Sequence, residues 1–166
     1  MPELTGLRIA KDKGEKIIAC CEDSGCKAGL PSRGSLMWLN VDSDIVSVSG
    51  ARCDCVFVRV EGERNDVVCV YAIEIKNISD IEKAGTDALN RDRLLQKFER
   101  GFRIASKMLS VLGISPNRRY CILVVPGEVY NAISSWYPRI RRVFINKFDG
   151  MWISACNTNI LKRLIY

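Results

Sequence analysis

Apolar and polar positions alternate with different periods along the chain, and each change of period marks an element. Residues 1–34 have the least regular pattern. Lys11-Asp12-Lys13-Gly14 and Ser24-Gly25 are turn-like and flank a short apolar run from Ile17 to Cys21, and Gly29, Pro31 and Gly34 then mark a loop. Leu36 to Val41 is mostly apolar, and Ile45 to Val48 is short and partly alternating before Gly50 breaks it. Cys53 to Val60 and Val67 to Ile75 are rich in Val and read as two strong strands. The polar segment Glu61 to Asp66 between them predicts an antiparallel hairpin with a long loop.

A helical period follows. Ser79 with Glu82 has capping-box spacing, and Gly85 interrupts the first turns. Leu95, Phe98, Phe102, Ala105, Leu109 and Leu112 recur at three- and four-residue steps, with Gly113 as the stop. The opposite face carries Arg93, Gln96, Arg100, Arg103 and Lys107. Tyr120 to Val125 reads as a buried strand ended by Pro126-Gly127, and Glu128 to Trp136 as a short helix. Val143 to Ile145 and Met151 to Ala155 predict a terminal hairpin around Asp149-Gly150. This order predicts an α/β fold, a mixed β-sheet with helices on its faces.

A length of 166 residues suits one domain, 1–166, in which 1–34 is an irregular N-terminal segment and 40–125 the core. With 48% apolar residues the chain can bury a sizeable core. No long uncharged apolar run is present, so no membrane partner is expected. The N-terminus lacks the basic-then-apolar layout of a signal peptide, which predicts a cytoplasmic protein. A net charge of +6 and a pI near 9.0 favour a polyanionic partner, DNA above all, although a merely soluble basic surface gives the same numbers. The absence of His excludes His-ligated zinc and every His-dependent triad. Gln96 is the sole Gln, while Ile, Val and Arg are plentiful, a bias that fits a thermophile. No P-loop, G-x-G-x-x-G or G-x-S-x-G motif is present, which leaves nucleotide hydrolysis, Rossmann cofactors and α/β-hydrolase chemistry unsupported.

Candidate chemistry sits at the ends of the two strong strands. Glu74 and Lys76 are two apart and share a face, closing a strand otherwise made of Val67-Val68-Cys69-Val70-Tyr71-Ala72-Ile73. Charge at the end of a buried strand needs compensation. Asp54 interrupts the preceding strand, and in a hairpin it lies at the same end as Glu74. Two carboxylates offer hard oxygen ligands for Mg²⁺ or Mn²⁺, and a neighbouring Lys offers a compact positive charge for a phosphoryl transition state. The bland alternative is an ion pair at a sheet end.

The stretch Gly50-Ala51-Arg52-Cys53-Asp54-Cys55-Val56-Phe57-Val58, followed by Ile73-Glu74-Ile75-Lys76-Asn77, resembles the core of the PD-(D/E)XK nuclease superfamily. The layout is similar to that of archaeal Holliday-junction resolvases and small archaeal nuclease-like proteins. The resemblance covers about residues 40 to 125 and implies a restriction-endonuclease-like fold and metal-dependent hydrolysis of DNA. It implies Asp54 and Glu74 as metal ligands, Lys76 as catalytic base or transition-state stabiliser and Gln96, in Leu95-Gln96-Lys97-Phe98, as an auxiliary. Cys53 stands where the family usually has Pro. Many members also carry a Glu on a helix before the first core strand; Glu15, Glu22, Asp42 and Asp44 are the candidates here. Without such a group the chain reads as an inactive relative, a nucleic-acid-binding or protein-interaction module, with a homodimer as a further expectation.

Cys20, Cys21 and Cys26, completed by Cys53 or Cys55, are open to zinc binding, disulfides or plain buried thiols. Arg93, Arg100, Arg103 and Lys107 form a candidate phosphate-tracking stripe, or simply the solvated face of an amphipathic helix. Arg118-Arg119 is a further basic group, and Arg139, Arg141, Arg142 and Lys147, near Trp136 and Tyr137, are a second candidate nucleic-acid surface that combines charge and stacking. The alternative there places both aromatics in the core or an interface.

Overall fold

A computed structural model describes residues 7–10, 18–23, 26–30, 36–40, 50, 53–61, 67–76, 78, 89–133 and 137–159. Among residues 7–40 the side chain of Cys26 alone is described, and the rest is backbone. The described residues form nine strands: β1 Leu7–Ala10, β2 Ile18–Asp23, β3 Cys26–Leu30, β4 Leu36–Asn40, β5 Cys55–Glu61, β6 Val67–Ile75, β7 Arg118–Val125, β8 Gly150–Ala155 and β9 Thr158–Asn159. They also form three helices: α1 Arg91–Val111, α2 Gly127–Ile133 and α3 Tyr137–Ile145. The α/β class expected from the sequence holds.

The main sheet has the order β1-β4-β5-β6-β7-β8. β4, β5 and β6 form an antiparallel meander. β7 lies parallel to β6, and β8 parallel to β7, so α1 and then α2 with α3 serve as the crossovers that parallel neighbours require. Inside β6 the pleat sends Val70 and Ala72 to one face and Cys69, Tyr71, Ile73 and Ile75 to the other. The first face packs against Leu94, Phe98, Phe102, Ala105 and Leu109 of α1 and against Val129, Ile133 and Phe144 of α2 and α3. The second face carries an aromatic ladder, one ring per strand: Phe57, Tyr71, Tyr120 and Trp152, with successive centroids 4.6, 5.1 and 4.9 Å apart. Each fully buried large side chain of this kind contributes about 1.5–3 kcal/mol.

The helices among the described residues thus cover one face, not both. A small second sheet, β2-β3-β9, lies against the other. Its β3 residue Cys26 packs in the second core and forms a disulfide with Cys156, just past β8, across 130 residues of sequence. Closing so long a loop stabilises the fold by about 5 kcal/mol in the chain-entropy account. Cys55 is disulfide-bonded as well. Cys26 and Cys55 therefore cannot complete a zinc set, and the three remaining described cysteines, Cys53, Cys69 and Cys121, are buried free thiols.

Two readings of the sequence need correction. Residues 1–34 are not simply irregular, since β1, β2 and β3 fall within them; bulges and short lengths hide their period, as at the register shift between Ala19 and Cys21. The terminal hairpin is absent: Val143 to Ile145 ends α3, and β8 joins β7 instead. A three-residue apolar run does not distinguish strand from helix. What selects helix is tertiary: Phe144 and Phe148 meet Phe98 and Phe102 of α1 at centroid distances of 5.8 and 5.0 Å. The strand expected at Ile45 to Val48, the capping box at Ser79 and Glu82, and Trp136 lie outside the described residues. No helix among the described residues is long and apolar enough to cross a membrane.

The close approach of α1 to the sheet depends on Gly101. A Cβ there would lie 2.4 Å from Cys53 Sγ and 3.3 Å from Val56 Cγ2. Gly101→Ala gains about 1 kcal/mol of helix propensity but overpacks a rigid site at a cost of about 1–3 kcal/mol. The expected net result is a melting temperature several degrees lower, read by thermal denaturation.

Candidate active site

The site forms where β5 begins and β6 ends. Cys55 pairs with Ile73, which brings Asp54 beside the last residues of β6. Asp54 Oδ2 accepts the backbone N–H of Ile75 at 2.5 Å and so clasps the two strand ends together. The neighbouring strand holds the exit of β6, with the Lys76 N–H donating to Val124 O at 2.8 Å. Glu74 has the same strand parity as Val70 and Ala72, so it points to the helix-covered face and is 0% exposed.

Glu74 Oε1 receives two ammonium groups. Lys76 Nζ lies 2.8 Å away and Lys97 Nζ 2.5 Å away. Glu74 Oε2 is buried and has no hydrogen-bond partner among the described atoms. Lys97 is half-buried, and burial works against its charge. The hydrogen bond and charge of Glu74, with the charge of Asp54 behind them, outweigh that and raise its pKa above the ordinary lysine value. Beneath the acids, Cys53 is fully buried; burial first, then the charges of Glu74 and Asp54, push its thiol well up. It is a packing group under α1 and not a thiolate nucleophile.

Three expected site residues thus come together: Asp54, Glu74 and Lys76. Gln96 does not join them. It is exposed, and the next residue, Lys97, takes the inward position. The buried row of α1 runs through Leu94, Phe98, Gly101, Phe102, Ala105 and Leu109, so the expected face holds at Phe98, Phe102, Ala105 and Leu109, while Leu94 and not Leu95 is its first buried residue. Lys97 lies three residues after Leu94 and four before Gly101, a spacing that was available to find it. The helix starts at Asn90, whose side chain accepts the N–H groups of Asp92 and Arg93 at 3.0 Å. Leu112, placed on the apolar face from the sequence, is 60% exposed.

The basic stripe divides. Arg93, Arg103 and Lys107 are exposed, whereas Arg100 is half-buried and folds over Gly50, where a Cβ would lie 1.8 Å from Nη1. Gly50 has a φ of +99°, a backbone conformation that favours glycine, whereas the Arg100 guanidinium is the end of a flexible side chain that could shift. Among the other basic residues Arg118 pairs with Asp149 and Lys147 with Glu99, and Tyr137 donates its hydroxyl to Met151 O while packing, partly buried, against the first core. Arg139 has no described side chain. Glu15, Glu22, Asp42 and Asp44 lie outside the described side chains, and among those described no three acids or cysteines gather as a metal-binding group.

No protein-family model matches the chain, and neither a curated protein nor a solved structure matches it. What the site can do has to follow from its own chemistry. A sealed carboxylate with one unpartnered oxygen, a second carboxylate on the adjacent strand and two ammonium groups can hold a cation and face a polyanion.

The clasp is testable apart from any activity. Asp54→Ala leaves the Ile75 N–H without its acceptor, a loss of about 1–3 kcal/mol, whereas Asp54→Asn keeps an acceptor oxygen. Chemical denaturation is expected to show a clear drop for the first variant and a smaller one for the second.

Proposed function

We propose that the protein is a Mg²⁺- or Mn²⁺-dependent nuclease that hydrolyses phosphodiester bonds of DNA, with a PD-(D/E)XK arrangement of Asp54, Glu74 and Lys76. The observation that carries this reading is the Oε2 of a fully buried Glu74, which has no partner among the described residues, next to Asp54 on the adjoining strand. An orphaned buried oxygen is the kind of group a bound cation satisfies, and Mg²⁺ is commonly held by one or two carboxylates with waters making up its shell. Asp54 and Glu74 would hold the ion. When bound, such an ion polarises a phosphoryl group and acidifies a water.

The chain's own residues do the rest. Lys76, 24% exposed and anchored to Glu74, presents a fixed positive charge at the mouth of the site, suited to charge developing on phosphate oxygens. Exposed Arg93, Arg103 and Lys107 on α1 supply phosphate contacts that draw the backbone in. The resemblance implies a helix after the strand that carries Glu74, and α1 follows β6 in the chain. The disulfides are compatible with a cytoplasmic protein of a thermophilic archaeon, since hyperthermophile intracellular proteins are disulfide-rich.

A second reading is favoured by one contact. The Lys97 ammonium already lies on Glu74, as it would in an inactive domain that binds nucleic acid or protein without cutting. Incubating the chain with branched, single-stranded and duplex DNA separates the two. Cleavage is expected in Mg²⁺ and not in EDTA, and Glu74→Gln and Lys76→Met, each with an unchanged circular dichroism spectrum, are expected to slow it by about 100-fold or more. Wild-type rates in either variant would reject the residue assignment; binding without cleavage selects the second reading.

A further inference from the structure

We propose that Lys97 is a resident counter-cation of this site: its ammonium neutralises the Glu74–Asp54 pair in the metal-free protein, and a divalent ion enters by displacing it. The proposal rests on the metal-binding reading of Asp54 and Glu74, but it concerns binding and not cleavage.

The geometry is unequal in a telling way. Both ammonium groups converge on Oε1 of Glu74, at 2.5 Å from Lys97 and 2.8 Å from Lys76, while Oε2 has no partner among the described residues. Lys76 comes from the same strand, two residues on, and is the more exposed cation. Lys97 comes from across the core, on the inward row of α1, with a side chain only 15% exposed. An ammonium is strongly hydrated, and placing it there is favourable only against a full negative charge. Lys97 therefore sits on one of the two carboxylates that a shared metal would use, with the other, Asp54, at the same end of the adjoining strand.

Charge balance gives the direction of the effect. Among the described residues, the two carboxylates and the two ammonium groups that meet at Glu74 sum to zero. Adding a divalent ion with both lysines in place would leave two positive charges in excess within a site largely shielded from water, where like charges repel strongly. Lys76 has a path to solvent at the strand end, and Lys97 has a four-carbon stem that can swing off Oε1. Displacement of Lys97 removes the ammonium nearest Glu74. The wild-type site thus has a built-in threshold: it stays neutral and closed by Lys97 until divalent ion is abundant.

The test uses the full chain and Mn²⁺ alone, with free Mn²⁺ followed by electron paramagnetic resonance at neutral pH. Lys97→Met keeps the stem without the charge; Lys97→Gln also keeps a donor for Oε1 and serves if the Met variant folds poorly. Either is expected to bind Mn²⁺ about tenfold or more tightly than wild type, and the tightening is expected to vanish when Glu74→Gln is added. Lys97→Arg, which keeps the charge, is expected to stay at or below wild-type affinity. In EDTA the uncharged variants are expected to melt below wild type, with Mn²⁺ restoring them by a larger upward shift than it gives wild type. Unchanged or weaker Mn²⁺ binding by both uncharged variants would overturn the proposal, as would no binding by any variant. Tighter binding by the variants with no DNA cleavage by any protein would uphold Lys97 as counter-cation and reject the nuclease reading.

Discussion

A carboxylate shut off from water at the end of an apolar strand sets the terms for the rest of this molecule. Glu74 follows seven residues of nearly pure hydrocarbon, and its pleat position aims it under the helix layer rather than out of the sheet. A charge so placed must be compensated nearby, because desolvation would otherwise dominate. Lys76 supplies compensation from the same strand and Lys97 from α1. The register of β5 on β6 and the docking of α1 are thus tied to electrostatics as well as to packing.

The docking of α1 illustrates the coupling. Gly101 lets the helix lie against Cys53 and Val56, and that depth sets the distance from which Lys97 reaches Glu74. Cys53, at the position where a resemblance to PD-(D/E)XK nucleases would put Pro, fills the space between the helix backbone and the acids. Its thiol is held protonated by burial and by those same carboxylates. Packing and charge therefore act on the same few atoms at the head of β5.

The opposite face of the sheet is built on different physics. There an aromatic ladder crosses four strands, and a small sheet covers it, fastened by the Cys26–Cys156 disulfide. Short strands have little apolar area to bury, and a covalent tie offsets that deficit by restricting the unfolded chain. The helix-covered face differs in carrying a fully buried acid and the two lysines that meet it.

The sequence alone determined the strands whose pattern is strong over many residues. Val67 to Ile75 is β6 to the residue, and Tyr120 to Val125 lies wholly within β7, because uninterrupted β-branched runs bounded by turns admit few alternatives. It also placed Asp54, Glu74 and Lys76 at one end of a hairpin, since strand parity and antiparallel pairing are local rules. Tertiary structure decided what depends on distant partners. Gln96 and Lys97 differ by one helical step, about 100°, and only the seating of Leu94 and Gly101 on the sheet fixes which of them faces the acids. The choice between hairpin and helix at Val143 to Ile145 required the rings of α1, and the pairing of Cys26 with Cys156 required two strands far apart in the chain. A sequence carries its periods openly, but the phase of a helix against a sheet and the identity of a long-range partner are set only when the surfaces meet.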